Sequence, residues 1–373
     1  MTLAFVVNSG SSSIKWELLD AESGASVKRG IVERIGEPGG GAVDHEDAMR
    51  SVLGMLGGEH PAVIGHRVVH GGDLFSAATV ITPEVEAAIE NLAALAPLHN
   101  PANLAGIRAA QAALPGVPNV AVFDTAFHQT LAPAAYTYAI DAALAAEHSA
   151  RRYGFHGTSY QYVARRAAET LRRPLGELKL VVFHLGNGAS ACAIDGGRSV
   201  DTSMGMTPLE GLVMGTRSGD LDPGLMFHLG REAGFTLDDL DTLLNRRSGL
   251  LGLSGRGDMR DLVAAMDAGD AAARLAFDVY VHRIRHYLGA YLVTLGGVDA
   301  IVFTAGVGEN SSEVRSAALA GLERLGIELD PALNAARSSE PRVISTDASA
   351  VAILVVPTNE ELEIARQAVA ALA

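Results

Sequence analysis

Apolar and polar positions along this chain fall into short blocks with a strand-like or helix-like period. Phe5-Val6-Val7 enters the polar cluster Asn8-Ser9-Gly10-Ser11-Ser12-Ser13, and a second run, Ile14 to Leu19, leaves it. That composition predicts strand, tight turn, strand. A third strand is expected near Ala25 to Val32, and Pro38-Gly39-Gly40-Gly41 reads as a surface loop. Asp44 caps a helix through Leu56, and Ala62 to Val68 forms a strand. Thr82-Pro83-Glu84 and Asn100-Pro101 each start a helix with Pro in its first turn, the second ending near Leu114. Asn119 to Phe123 is a strand ending at Asp124, and Thr158 to Leu171 is a helix beyond a glycine turn. The longest helical pattern, Ala271 to Leu295, stops at Gly296-Gly297. Ala350 to Val356 is a last strand and Asn359 to Leu372 a last helix.

The opening design recurs. Lys179 to Phe183 runs into His184-Leu185-Gly186-Asn187-Gly188-Ala189-Ser190 and on into Ala191 to Ile194, and Asp195-Gly196-Gly197 then turns into Arg198 to Ser203. A third glycine turn, Thr304 to Asn310, follows the strand Ala300 to Phe303 and precedes a helix near Ser311. An ordinary polar hairpin turn accounts for the first segment alone. The second copy and the third turn together suggest a duplicated α/β protein closing on a nucleotide. Gly10 lets backbone approach an anionic phosphate, the serines add hydroxyls beside exposed N–H groups, and Lys15 adds positive charge. No G-x-x-x-x-G-K-[ST] loop occurs, which excludes a P-loop. Gly306-Val307-Gly308 continues to Ser311 instead of a third glycine, which disfavours a Rossmann site.

Composition sharpens this picture. With 373 residues, 48% of them hydrophobic, the chain can bury two cores, so two domains are expected. A net charge of −14 argues against nucleic acid or an acidic membrane surface as partner. An anionic substrate then needs a local concentration of Arg, Lys and metal. The single cysteine, Cys192, excludes an intramolecular disulfide and reads as a small apolar strand residue. No basic segment leads into an apolar one at the N-terminus, and no apolar run approaches the ~20 residues of a membrane helix. A soluble cytoplasmic protein is expected.

Candidate chemistry sits where polar residues interrupt apolar strands near their ends. Arg67 lies inside Val63-Ile64-Gly65-His66-Arg67-Val68-Val69, where a cation is costly without a partner. His66 and His70 are four apart, a spacing that aligns ligands on a helix but not on a strand entering Gly71-Gly72, so no metal pair is read there. Asp124 ends its strand, His156 lies between glycines before a helix, and Arg217 lies in Gly215-Thr216-Arg217-Ser218-Gly219. Singly, each suits a structural salt bridge or a satisfied core histidine. Together they suit phosphoryl transfer, where catalysis is mostly positioning and charge neutralisation.

These segments carry a resemblance. Asn8 to Lys15, Gly65 to Gly72, Ala96 to Pro101, Phe123 to His128, Tyr153 to Ser159, His184 to Gly188, Thr207 to Gly211, Met214 to Arg217, Phe303 to Asn310 and Pro357 to Glu361 resemble the acetokinase family end to end. That family belongs to the sugar kinase, actin and heat-shock ATPase superfamily. The resemblance implies two similar domains of the actin-like ATPase (ribonuclease H-like) fold with a cleft between them. Their expected bounds are 1–128 plus 361–373, and 129–360. It implies reversible, direct in-line transfer from ATP to acetate, giving acetyl phosphate and ADP, with Mg2+ (or Mn2+), in a homodimer.

By the same resemblance, Arg67 and Arg217 clamp the acetate carboxylate and the phosphoryl in flight, and His156 bonds the equatorial phosphoryl oxygens. Asn8, Asp124 and Glu360 hold the metal, directly or through water. Val69, Leu98, Phe155 and Pro208 form the acyl pocket, and His99 supports that side. His184 and the Asn187-Gly188 turn meet the nucleotide phosphates, and Lys15, Leu185 and Gly186 belong to the same ATP site. Asp258, Met259, Arg260, Gly306, Val307, Gly308, Glu309 and Asn310 meet the adenosine. A carboxylate acceptor is already ionised, so Asp124 is free to position metal and need not act as a base. Propionate or butyrate as acceptor is the alternative within the family. A nucleotide-switched binding module is the alternative outside enzymes, and the paired arginines argue against it.

Overall fold

The computed structural model describes every residue except Met1, Ser11, Pro38 and Leu98. The turn residue Ser11 and the loop residue Pro38 therefore lie outside the described residues. Two compact units emerge: Met1–Gln129 with Phe155–Tyr162 and Asn359–Ala373, and Thr130–Gly154 with Val163–Thr358. The short return of Phe155–Tyr162 to the first unit carries His156 with it.

The first unit holds strands β1 (Leu3–Ser9), β2 (Ser13–Asp20), β3 (Ser26–Glu33), β4 (Val63–Val68), β5 (Thr79–Val80) and β6 (Asn119–Phe123), in the order β3-β2-β1-β4-β6-β5. The second holds β7 (Lys179–Leu185), β8 (Ala189–Asp195), β9 (Arg198–Thr202), β10 (Ala300–Thr304), β11 (Arg342–Val343) and β12 (Ala352–Val355), in the order β9-β8-β7-β10-β12-β11. The orders correspond strand for strand. Each sheet begins with an antiparallel meander, continues through parallel pairings and ends on an antiparallel edge strand. The duplicated α/β architecture expected from the two hairpins is present.

Strand register decides which residues share a face. Phe5 pairs with Ile64, so these two face one way, and Val6, Gly65 and Val120 face the other. Phe5, Val7 and Ile64 pack with Met49 and Val52 of helix His45–Leu56 and with Ala109 and Ala110 of helix Asn100–Ala113. The opposite face receives helix Glu360–Ala370 so closely that a Cβ on Gly65 would lie 2.8 Å from Ile364 Cγ2. Asp44 and Thr82 cap their helices as expected, each side chain accepting from the backbone three residues on.

Two local expectations need correction. Asn100 does not cap its helix; its amide accepts from His70 N at 3.2 Å and donates to His70 O at 3.0 Å. A residue with both a donor and an acceptor pairs with an extended backbone segment more fully than a cap requires. The glycine turn Thr304 to Asn310 is largely helical, with Ala305–Asn310 forming a short helix and Ser311 capping the next, Ser312–Leu319. Asn310 Nδ2 donates to Gly306 O at 2.8 Å, and Arg315 donates to the carbonyls of Gly308 and Glu309, so side chains satisfy the groups a turn would leave to solvent.

Candidate active site

In the first unit, chemistry gathers at the carboxyl ends of β1, β4 and β6. Arg67 follows Gly65 by two residues and shares its face, paired in register with Val122; Asp124 lies two beyond Val122. Asn8 falls one step past the Val7–His66 pairing, in the same row. Arg67 binds Asp124 bidentately, Nε to Oδ1 at 3.0 Å and Nη2 to Oδ2 at 2.7 Å. Glu360 Oε2 lies 3.8 Å from Arg67 Nε, brought there by the first turn of the last helix. This supplies the partner that a cation in an apolar strand requires.

The electrostatics follow from burial and proximity. Burial pulls the Arg67 guanidinium down, but Asp124, then Glu360 and Glu361, more than reverse it, so its pKa rises. Burial pushes the Asp124 carboxyl up, and Glu360 adds to this against the pull of Arg67. Asp124 is also fixed by its backbone: its N–H donates to Val68 O at 3.0 Å and its carbonyl accepts from Gly157 N at 2.9 Å. A Cβ on Gly157 would run into that carbonyl, so only glycine allows the approach. Next to it His156 adopts φ 59°, in the left-handed region, a conformation held only where surroundings impose it.

Other predicted residues of this unit divide. Val69 donates its N–H to Asn103 Oδ1 at 3.0 Å, and Asn103 Nδ2 donates to Ser9 O at 2.7 Å, which ties the β1 turn to the end of β4. Phe155 is buried edge-on against His70. His99 acts electrostatically on Asp124. Lys15, expected at the nucleotide, is ion-paired with Glu361. Leu98 lies outside the described residues. His66 and His70 are both buried, with His66 Nε2 bonded to Asn119 Oδ1 at 2.7 Å and His70 Nδ1 accepting from Gly72 N, so each has a local partner.

In the second unit the corresponding strand ends, β7 and β10, open into a cavity of about 880 Å3. Of the residues expected to meet the nucleotide, Gly186, Asn187, Asp258, Met259, Arg260, Gly306, Val307, Glu309 and Asn310 line it. His184, Leu185, Gly188 and Gly308 are not among the lining residues. Arg260 reaches Asp258 through Nε at 3.0 Å and Nη2 at 2.8 Å, and this pairing holds the Asp258 carboxyl down at about 2. Glu309 accepts from Thr358 N at 3.1 Å, while burial pushes its carboxyl up.

Arg217 differs from Arg67. Its Nη1 donates to Pro208 O at 2.8 Å and contacts Met214 Sδ at 3.6 Å. Among the described residues no carboxylate pairs with it, and burial lowers its pKa. The guanidinium keeps uncommitted donors, the arrangement expected of a group that receives an oxyanion.

Sequence reasoning missed part of the cavity. Arg315 is fully buried and donates to Gly308 O, Glu309 O and both oxygens of Asn334, thereby joining the β10 helix-turn to helix Pro331–Ala335. Gly215, Val263, Ala264 and Tyr280 also line the space. Helical periodicity marks Val263 and Tyr280 only as apolar-face residues, and nothing local joins Arg315 to Asn334.

The acetokinase family profile matches residues 3–366. The chain is 62% identical to an acetate kinase of Leifsonia xyli subsp. xyli over the full length of both. Among solved structures, it matches an acetate kinase of Porphyromonas gingivalis with a TM-score of 0.95 and 41% identity, covering all of both chains. It matches a propionate kinase from Francisella tularensis subsp. tularensis with a TM-score of 0.93 and 39% identity, covering 98% of this chain and 99% of that one.

Proposed function

Because this chain belongs to the acetokinase family, we propose that it catalyses reversible transfer of the ATP γ-phosphoryl group to acetate, giving acetyl phosphate and ADP. The observation that carries the reading is the contrast between its arginines: Arg67 is anchored on Asp124, while Arg217 is partly buried with donors to spare. Arg67 has Nη1 left for the substrate carboxylate, and Arg217 receives the phosphoryl oxygens. His156 adds a hydrogen bond as charge spreads over those oxygens. Acetate is an anion at neutral pH, so transfer is direct and in line with no general base.

The donor set suits a hard divalent cation. Asn8, Asp124 and Glu360 offer an amide and two carboxylates whose negative charges oppose each other. No group of three or more His, Cys, Asp or Glu side chains able to hold a metal occurs among the described residues; Asn8, Asp124 and Glu360 would supply only part of a shell for Mg2+, with phosphate oxygens and water completing it. When bound, the cation neutralises charge on the transferring phosphates. Val69 favours the small acetyl group; propionate is the poorer substrate, by the ~1–3 kcal/mol a methylene commands. No helix of the described residues is long and apolar enough to cross a membrane, and a cytoplasmic homodimer completes the proposal.

The test is acetyl phosphate formation from ATP, Mg2+ and acetate, trapped as the hydroxamate. Acetate-dependent product is expected. ATP hydrolysis that ignores added acid, with no acyl phosphate from acetate, propionate or butyrate, would support a nucleotide-switched binding module instead.

A further inference from the structure

We propose that Asp220 is a positioning residue for Arg217: it closes the loop that carries this arginine and so holds its guanidinium ready for the transferring phosphoryl group. The proposal rests on the functional reading above, which gives Arg217 that role. Both oxygens of the Asp220 carboxylate are committed. Oδ1 accepts from Gly211 N at 2.8 Å, and Oδ2 accepts from the Tyr287 hydroxyl at 2.9 Å and from Arg283 Nη1 at 3.4 Å. Asp220 N donates in return to Gly211 O at 3.0 Å. Tyr287 and Arg283 stand one turn apart on the long helix Ala271–Thr294, so a regular element anchors the loop.

Gly211 and Asp220 form the base of this loop. Pro208, whose carbonyl accepts from Arg217 Nη1 at 2.8 Å, lies three residues before Gly211, and Arg217 lies three before Asp220. Releasing the base therefore shifts the arginine against its acceptor. The two arms also touch at Gly219, where φ is 69° and a Cβ would lie 2.5 Å from Leu212 O. With its oxygens spent on the loop and the helix, Asp220 acts on the chemistry through Arg217 and not by contact with reacting atoms.

The part of the loop that lines the nucleotide cavity is held separately. Gly215 N donates to Asn187 O at 3.0 Å, and Gly215 O accepts from Leu251 N at 2.9 Å. Loss of Asp220 should therefore disturb the arginine and spare nucleotide binding.

The test is a double-mutant cycle on acetyl phosphate synthesis, with melting curves for every variant. Asp220→Ala should lower kcat by roughly 10- to 100-fold, as a misplaced catalytic group does, with KM for ATP unchanged. Tyr287→Phe keeps the ring and removes one bond to Asp220; it should lower kcat by less, at a melting temperature near that of wild type. In an Arg217→Ala background either substitution should cost almost nothing further, because the group it positions is gone. Wild-type kcat in Asp220→Ala, a rise in KM for ATP in place of the fall in kcat, or the full loss repeated in the double variant overturns the proposal and leaves the kinase reading intact. If Asp220→Ala does not fold, the Tyr287→Phe arm decides by the same criteria. Wild-type turnover in Arg217→Ala overturns the role of that arginine and this proposal together. A wild-type protein that makes no acyl phosphate removes the functional reading itself.

Discussion

The two sheets share one strand order but use the ends of their strands differently. At β1, β4 and β6 the first sheet presents charged and polar groups: Arg67, Asp124, the nearby Glu360 and the amide of Asn8. At β7 and β10 the second presents space, a cavity walled by glycine turns and apolar helix faces. On the proposed reading, one scaffold, used twice, would separate the work of holding small anions and metal from that of holding a large nucleotide. The arginines repeat the contrast. Arg67 is half of a closed ion pair, and Arg217 is a charge still in need of an anion.

The largest expected effects are on turnover. Arg217→Ala should lower kcat by about 10^3-fold or more, the range for an arginine that stabilises a transferring phosphoryl group. Its melting temperature should fall only slightly, because the bond to Pro208 O is lost but no buried carboxylate loses a partner; steady-state rates and melting curves check both halves. Arg67→Ala should also be nearly inactive, but it leaves Asp124, 2% exposed, as an unpaired buried charge. Chemical denaturation should show a loss of about 3–5 kcal/mol, and equal stability of the two arginine variants would erase the contrast.

A smaller effect separates fold from chemistry in the first sheet. Burial depresses the His66 pKa to about 4 from its ordinary 6.5, so the fold keeps this imidazole neutral. Stability from that source is complete above pH 6.5 and is lost as pH falls toward 4, because the unfolded chain takes up the proton first. The drop is up to about 3 kcal/mol. His66→Gln should flatten the stability profile over that window. An unchanged slope would place the proton uptake elsewhere. The smallest effect belongs to Val69→Ala, which should improve propionate relative to acetate by up to about 10-fold in kcat/KM. A constant ratio would remove Val69 from the acyl pocket.

Much of the architecture was legible because it is written in local chemistry. Turn residues bounded the hairpins, and Asp44 and Thr82 announced their helices. The segment Thr304 to Asn310 misled because glycines at 306 and 308 read as a turn, whereas Asn310 and Arg315 stabilise a short helix there. At the site, an apolar strand said that Arg67 needed a partner, but only the register of β4 with β6 says that the partner is Asp124. Arg315 was illegible for a related reason. An arginine in a helix reads as a solvated residue until Asn334, 19 positions later, is folded against it.

The central claim is that Arg217 keeps its donors uncommitted so that they can receive the phosphoryl oxygens. Guanidinium titrated into Arg217→Ala during acetyl phosphate synthesis tests this most directly, since it returns the same planar donor to the gap the truncation leaves. The account predicts saturable recovery of turnover, absent when the same salt is added to wild type. Wild-type turnover in Arg217→Ala before any guanidinium is added would contradict it.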